Sequence, residues 1–451
     1  MYIVRVSPFG VGAIIIALIA AVADTRWSAK SALPSEAYFS ASIAIRPTEP
    51  ASYAAEKISF FFLKSLFSPF ASAIFYGVLD RRITIDFVLS KFIKTPLKKV
   101  APYTLEVLRS AVYQIMFMDK VPDSAAVNEA VKLIKSSRES RNAGFANAVL
   151  RNILRNEITL PQGNDVHSLS VRYSCPEWII NSFIKDYGAD TAEELLKESL
   201  KPAPVVIRVN TLKTDTNTLK AELEKQGVPS DTAEKENALL LKRGIDAADF
   251  DLYKKGFFYA EDLSSQTAVS VLNPKKGERV LDMCAAPGGK SFTMALLMEN
   301  KGEIISCDLY EQRVGLIKSG AERLGIDIIK PLTADASCYN EKLGEFDSIL
   351  CDVPCSGLGV LRRKPDIKYK PEEDFEELQK LQYKILRNAS KYLKKGGRIL
   401  YSTCTLRREE NEKLVNSFIM EYNGFHKMYE HTYFPHIDKT DGFYCALIVK
   451  E

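Results

Sequence analysis

From Ile74 to about Asn156 apolar residues recur at the three- and four-residue spacing of amphipathic helices. Leu105, Leu108, Val112, Ile115 and Met116 form one stripe, and Val127, Ala130, Val131 and Ile134 another. Pro96, Pro102 and Pro122 punctuate the segment. Short turns between amphipathic helices predict a small all-α bundle over residues 73–157. Thr159 to Asp165, with Pro161, Gln162, Gly163 and Asn164, reads as a linker. Helical stretches at Pro176–Tyr187 and Ala192–Leu200, a β-like run at Val205–Val209 and an amphipathic Asn217–Gln226 predict a small α+β module over 166–253. The pattern changes again in residues 254–451. Strands are predicted at Arg279–Met283, Glu303–Cys307, Ile328–Leu332, Asp347–Cys351, Arg398–Ser402 and Tyr444–Val449, with helical patterns between most of them. That alternation predicts an α/β, Rossmann-like domain built on a parallel sheet with right-handed crossovers.

The first 72 residues fit none of these patterns. Val11 to Ala23 is an apolar run of 13 residues, preceded by Arg5 and followed by Asp24, the layout of a secretory leader. It is too short for a comfortable membrane span. Residues 24–72 show no clean period and carry a Phe60-Phe61-Phe62 cluster. We expect residues 1–72 to be an atypical extension of a cytoplasmic protein rather than an export signal or an anchor, so no membrane association is expected.

Composition adds little to fold but narrows function. With 451 residues and 46% hydrophobic content the chain can bury several cores. The 61 Lys+Arg against 57 Asp+Glu leave a formal charge of only +4, so a nucleic-acid surface must be regional. Residues 81–155 supply one, with 14 basic and 6 acidic side chains. That excess suits either a solvated bundle surface or a platform for RNA phosphates. All eight cysteines follow residue 174 and none forms a C-x-x-C pair, which suggests neither a zinc knuckle nor a disulfide framework. Reduced thiols of a cytosolic enzyme fit better. His426, His431 and His436 recur every five residues, a spacing that points them to different faces of a helix and alternate faces of a strand, so no metal site is expected.

The candidate chemistry sits in the turns after the predicted strands. Val280-Leu281-Asp282 runs into Met283-Cys284-Ala285-Ala286-Pro287-Gly288-Gly289-Lys290, a glycine turn that opens a helix. Such a turn lets backbone approach a ligand and offers free N–H groups. Asp308 lies about 20 residues past the glycines, the offset at which an acid meets ribose hydroxyls. Asp335, after the third strand, is placed for the adenine edge. No G-x-G-x-x-G is present, which disfavours a nicotinamide cofactor and favours an adenosyl ligand. Asp352-Val353-Pro354-Cys355 follows the fourth strand and Cys404 the fifth, so both thiols can meet at the carboxyl edge of the sheet. Cys307 and Cys351, inside strands, read as core residues. A thiolate adding to C6 of a cytosine would activate C5 toward a sulfonium methyl, and Asp352 suits the role of a carboxyl at N3. Such a base must be single-stranded or flipped. Arg362-Arg363-Lys364 and Lys368 read as charge for the flanking phosphates.

These residues resemble the RNA cytosine-C5 methyltransferase family that includes the bacterial Sun/Fmu proteins. DMCAAPGGK, Asp308, Asp335, DVPCSGLG and STCT match it in order and spacing across the final 200 or so residues. The resemblance implies S-adenosylmethionine held by Cys284, Ala285, Ala286, Pro287, Gly288, Gly289, Lys290, Asp308, Asp335 and Asp352, with Arg313 a further contact. It implies Cys404 as nucleophile and Cys355 as the residue aiding product release; the reverse order, as in DNA cytosine methyltransferases, is the alternative. Tyr76-Gly77-Val78-Leu79, Val127-Asn128-Glu129-Ala130-Val131 and Gly144 to Arg151 are similar to the NusB-like RNA-binding domain of the 16S rRNA methyltransferase B group. That similarity implies a target at cytosine 967 of small-subunit rRNA, and tips the basic bundle toward RNA; a monomer is expected. The first helix expected of a NusB-like domain is not recognisable in residues 1–72. A methyltransferase for tRNA or another rRNA cytosine, and an RNA-binding or antitermination factor with an inert second half, are the competing readings.

Overall fold

A computed structural model describes residues 69–245, 250–372 and 374–451. The apolar run at Val11–Ala23 and the extension up to residue 68 lie outside the described residues. The described residues form two compact units, one running to Ile184 with Lys364–Lys370, the other Lys185–Arg363 with Pro371–Glu451. Among the described residues no helix is long and apolar enough to cross a membrane.

The first unit is helical. Its bundle consists of α1 (Pro69–Phe92), α2 (Pro102–Phe117), α3 (Asp123–Lys135) and α4 (Ala143–Arg155), followed by α5 (Val166–Tyr173) and α6 (Glu177–Tyr187), which runs past the unit's edge. Pro102 stands at the first position of α2, where its missing N–H costs nothing. Asp165 caps α5 by accepting from the Ser168 backbone N–H at 3.0 Å. The predicted stripes meet in one core: Leu105, Leu108, Val112, Val127, Ala130 and Ile134 are buried, with Ile115, Met116 and Val131 packed at its border. Residues 364–370 fold here too. Lys368 Nζ is fully buried and donates to Asp80 Oδ1 at 2.8 Å, and Tyr369 donates its hydroxyl to the Leu79 carbonyl at 2.5 Å.

The second unit holds two sheets. Between α7 (Ala189–Ser199) and the larger sheet lie β1 (Val205–Val209), α8 (Thr216–Lys225), β2 (Ser230–Thr232), β3 (Ala238–Leu241), α9 (Asp251–Lys254) and β4 (Phe258–Ala260). These strands pair antiparallel in the order β2-β3-β1-β4. Next come α10 (Leu263–Leu272), β5 (Arg279–Asp282), α11 (Gly289–Leu297), β6 (Glu303–Asp308), α12 (Glu311–Leu324), β7 (Ile329–Thr333) and β8 (Phe346–Asp352). The chain ends with α13 (Asp374–Tyr392), β9 (Leu393–Thr403), α14 (Glu412–Glu421), β10 (Phe425–Tyr433), α15 (Pro435–Asp438) and β11 (Phe443–Lys450).

The seven large-sheet strands are ordered β10-β11-β9-β8-β5-β6-β7. All six predicted strands are present. The expectation of a wholly parallel sheet is corrected: β5 to β9 are parallel, but β11 inserts antiparallel beside β9 and pairs with β10, a strand not predicted. Only strands joined through crossover helices must run parallel, and β10 and β11 are joined by a short connection that reverses the chain. Alternate residues feed opposite apolar layers. Val280, Leu350 and Leu400 belong to one, and Leu281, Ile349, Cys351, Ile399 and Tyr401 to the other. Cys307 and Cys351 are buried in the second layer, the core role read for them. Burial on both faces explains the continuous apolar runs of the central strands.

Candidate active site

The central parallel strands place four loops at one edge of the sheet. After β5, the turn from Met283 to Gly288 leads into α11, and Gly288 adopts φ +114°, a conformation open to glycine. A Cβ on Gly288 would also meet the Phe292 ring at 2.4 Å. This turn borders a cavity of about 190 Å³, with Cys284, Ala285, Ala286, Pro287, Gly289 and Lys290 in its wall. Glu261 and Asp262, at the end of β4 and the cap of α10, form the facing wall, and Asp282 and Asp352 complete it.

The wall carries four carboxyls, Glu261, Asp262, Asp282 and Asp352. Glu261 places Oε2 on the Thr293 hydroxyl, while its Oε1 is buried without a hydrogen-bond partner. Asp282 accepts from Ser291 Oγ at 2.6 Å through Oδ2, and its Oδ1 is likewise buried without one. Burial raises both carboxyls to a pKa of about 7. Lys290 is the cation among them. Burial opposes its charge most, but Asp352 at 2.8 Å together with Glu261 and Cys404 outweighs burial and its pKa is raised.

Asp352 joins the cavity to the thiols. Its Oδ2 takes the Lys290 ammonium and its Oδ1 the Ser402 hydroxyl, also at 2.8 Å, across the parallel pair β8–β9 in which Asp352 and Ser402 are registered. The loops continuing from these two strands bring Cys355 Sγ and Cys404 Sγ to 3.0 Å. Both are thiols and half-buried. The hydrogen bond to Cys404, then burial, then the charges of Cys404, Glu410 and Asp352 push the Cys355 pKa well above an ordinary thiol, so Cys355 holds its proton.

A buried scaffold fixes the pair. Glu410 Oε2 accepts from the Ser356 backbone N–H and from Gln382 Nε2, both at 2.9 Å, and Gln382 also donates to the Pro354 carbonyl at 2.9 Å. Gly359 N–H donates to the Cys404 carbonyl at 3.0 Å, and the Gly359 carbonyl accepts from Gly442 N–H at 2.9 Å. A Cβ on Gly359 would stand 2.0 Å from the Gly442 carbonyl oxygen.

Of the residues expected at an adenosyl site, Gly288, Asp308, Arg313 and Asp335 lie outside the wall of this cavity. Asp308 ends β6, and Arg313 bridges it to the glycine turn, with Nη1 3.1 Å from Asp308 Oδ2 and Nη2 donating to the Ala286 carbonyl at 3.0 Å. Asp335 is exposed two residues beyond β7, accepting from the Ser337 N–H at 2.8 Å. The basic run expected to meet phosphates is corrected. Arg362 and Arg363 both grip Asp441, Arg363 also reaches Asp262 at 3.0 Å, and Lys368 is buried on Asp80. Lys364 is the exposed cation of that run besides the partly exposed Arg363. Glu261, Gln382 and Glu410 were not anticipated. Glu261-Asp262 before Leu263 reads in sequence only as a helix start, and Glu410 stands in a charged run, Arg407-Arg408-Glu409-Glu410, that looks solvated.

A parallel-centred sheet with an antiparallel strand inserted beside β9, and a ligand turn after its first strand, defines a Rossmann-like methyltransferase fold. A solved chain, PH0851, is 28% identical with a TM-score of 0.76, covering 99% of this chain and 100% of that one. A methyltransferase homologue from Pyrococcus horikoshii is 28% identical with a TM-score of 0.56, over 63% of this chain and 98% of that one. The family described as 16S rRNA methyltransferase RsmB/F matches residues 269–449, the NusB family 51–155, and the RsmF/B-like ferredoxin-like domain 175–248. The probable ribosomal RNA small subunit methyltransferase B of Bacillus subtilis is 39% identical over 78% of this chain and 79% of its own. Its counterpart in Photorhabdus laumondii is 30% identical over 85% and 90%. The chain belongs to the ribosomal RNA small subunit methyltransferase B family, with the NusB domain its N-terminal half resembled.

Proposed function

We propose that this protein methylates C5 of a cytosine in small-subunit rRNA, cytosine 967, through a covalent adduct to Cys404. The observation that carries the reading is the pair of thiols 3.0 Å apart, linked through Asp352 to a cavity with an acidic wall. S-adenosylmethionine suits that cavity. Its two buried carboxylate oxygens without partners call for a cationic or hydrogen-bond-donating ligand, and Gly289, whose Cβ would lie 3.3 Å from Glu261 Oε1, keeps the space open. Lys290, the Cys284–Gly289 turn, Asp282 and Asp352 would hold it, with Asp308, Arg313 and Asp335 at the adjoining strand ends. When bound, it supplies a sulfonium methyl to the activated C5.

The chain's own residues make C5 reactive. The Cys404 thiolate adds to C6 and places electron density on C5 and N3. The Asp352 carboxyl, oriented by Lys290 and Ser402, shares a proton at N3. Solvent water takes the C5 proton, the C–H electron pair reforms the C5=C6 bond, and the C6–S bond breaks to return the Cys404 thiolate. Cys355, which keeps its proton, then donates a hydrogen bond to the departing Cys404 thiolate. The basic excess of residues 81–155 supplies phosphate contacts that position the RNA.

Bisulfite sequencing of rRNA from a deletion strain tests the target: methylation lost at cytosine 967 supports it, and unchanged methylation there rejects it. For the mechanism, Cys404→Ala should abolish the covalent RNA adduct on denaturing gels, whereas Cys355→Ala should let it accumulate. The opposite pattern reverses the two roles.

A further inference from the structure

We propose that Glu261 and Asp282 form a charge-reading wall that favours the cationic sulfonium cofactor over the neutral thioether it becomes once the methyl has left. The inference rests on the reading of this cavity as the S-adenosylmethionine site, and deepens it. Both carboxyls are more than nine-tenths buried and both line the cavity. Each uses one oxygen on a hydroxyl, Thr293 for Glu261 and Ser291 for Asp282, and leaves the other without a partner. An unpartnered carboxylate oxygen in a dry wall is costly unless a ligand satisfies it.

The surroundings do not neutralise this wall. Lys290 and Arg208 are the cations near Glu261, and Asp262 adds a like charge. Lys290 is tied to Asp352, while Arg208 donates to the Glu236 carbonyl and to Gln266. Around Asp282 stand Ser291, Asp352, Lys290 and the Cys284 backbone N–H. The Tyr259 hydroxyl lies 2.6 Å from Thr293 Oγ1, the hydroxyl that donates to Glu261. Substrate and product share the adenosine, the ammonium and the carboxylate, and differ in the charge on sulfur. A wall that reads charge therefore holds the substrate and lets the product go.

Both carboxyls titrate near pH 7, so the wall is largely neutral at pH 6 and largely ionised at pH 8. Isothermal titration calorimetry of the full chain with S-adenosylmethionine and with S-adenosylhomocysteine, at pH 6 and pH 8, reads the effect directly. The ratio of the two affinities should move about tenfold toward the sulfonium compound as pH rises, the size expected for one linked proton. Repeating the pH 7 titration in two buffers of different ionisation enthalpy should show proton release with the sulfonium compound and less with the thioether. Glu261→Gln and Asp282→Asn, each confirmed folded by circular dichroism, should flatten the pH dependence. A ratio that stays constant in the wild type, or variants that keep the full dependence, overturns the proposal. If the wild type binds neither compound at either pH, the cofactor reading itself fails, and this inference with it.

Discussion

Glu261 carries a liability as well as a contact. Burial lifts its carboxyl from 4.5 to about 7, so the fold prefers the neutral acid. The stability this contributes is complete below about pH 4.5 and is lost as pH rises through about 7, a difference on the order of 3 kcal/mol. Glu261→Gln should therefore gain stability relative to wild type at pH 8 and show little gain at pH 4. Urea denaturation at the two pH values measures it, and an equal change at both would reject the assignment of cause. Functional sites often carry such a cost to stability. At this scale the sequence was informative where chemistry is contiguous. The turn from Cys284 to Lys290, Asp352, Cys355 and Cys404 were all legible because each follows a strand in a short, recognisable run. Glu261, Gln382 and Glu410 were not, because they reach the site from a strand end, mid-helix and a charged loop with no local mark of burial.

The strands and loops that hold the thiols depend on one close backbone approach. Gly359, after β8, meets Gly442, just before β11, and also binds the Cys404 carbonyl after β9, so three strand-end loops are joined at a point with no room for a side chain. Gly359→Ala should separate them, destabilising the protein by about 1–3 kcal/mol and lowering methyl transfer more than the loss of folded protein explains. Thermal unfolding together with the adduct assay on folded protein checks both parts; wild-type adduct yield would show that the contact does not position Cys404. The central strands were readable from apolar runs because both faces are covered. β10 was not, since Phe425–Tyr433 is an edge strand rich in charged and polar side chains, mostly half-buried and without a continuous apolar run. Nor does the alternation of strand and helix reveal that β11 reverses direction, because a tight return and a crossover leave the same apolar pattern in the strand itself.

Across the whole chain, charge and connectivity follow different rules. The net +4 conceals the basic excess of residues 81–155, whereas in the basic run near residue 364 Arg362 and Arg363 are paired with Asp441 and Lys368 is buried on Asp80. Lys368 shows why position in sequence misled: the chain on either side of residues 364–370 belongs to the second unit, yet Lys368 is buried in the first. Asp80→Ala should leave that ammonium without its carboxylate, with only the residue 80 backbone carbonyl as acceptor, and cost the first unit about 3–5 kcal/mol, while Asp80→Ala combined with Lys368→Met should recover most of it. In a Trp27→Phe background Trp178 of α6 is the remaining tryptophan and lies in the first unit, so urea unfolding followed by tryptophan fluorescence reports there. Equal midpoints for Asp80→Ala and wild type would reject the role given to the pair. The same seven residues bear on descent. A gene rearrangement that replaced residues 1–184 wholesale would strand Ile367, Lys368 and Tyr369 without the surface they complete, so the two units form a single heritable block in which a change at Asp80 is answered at Lys368.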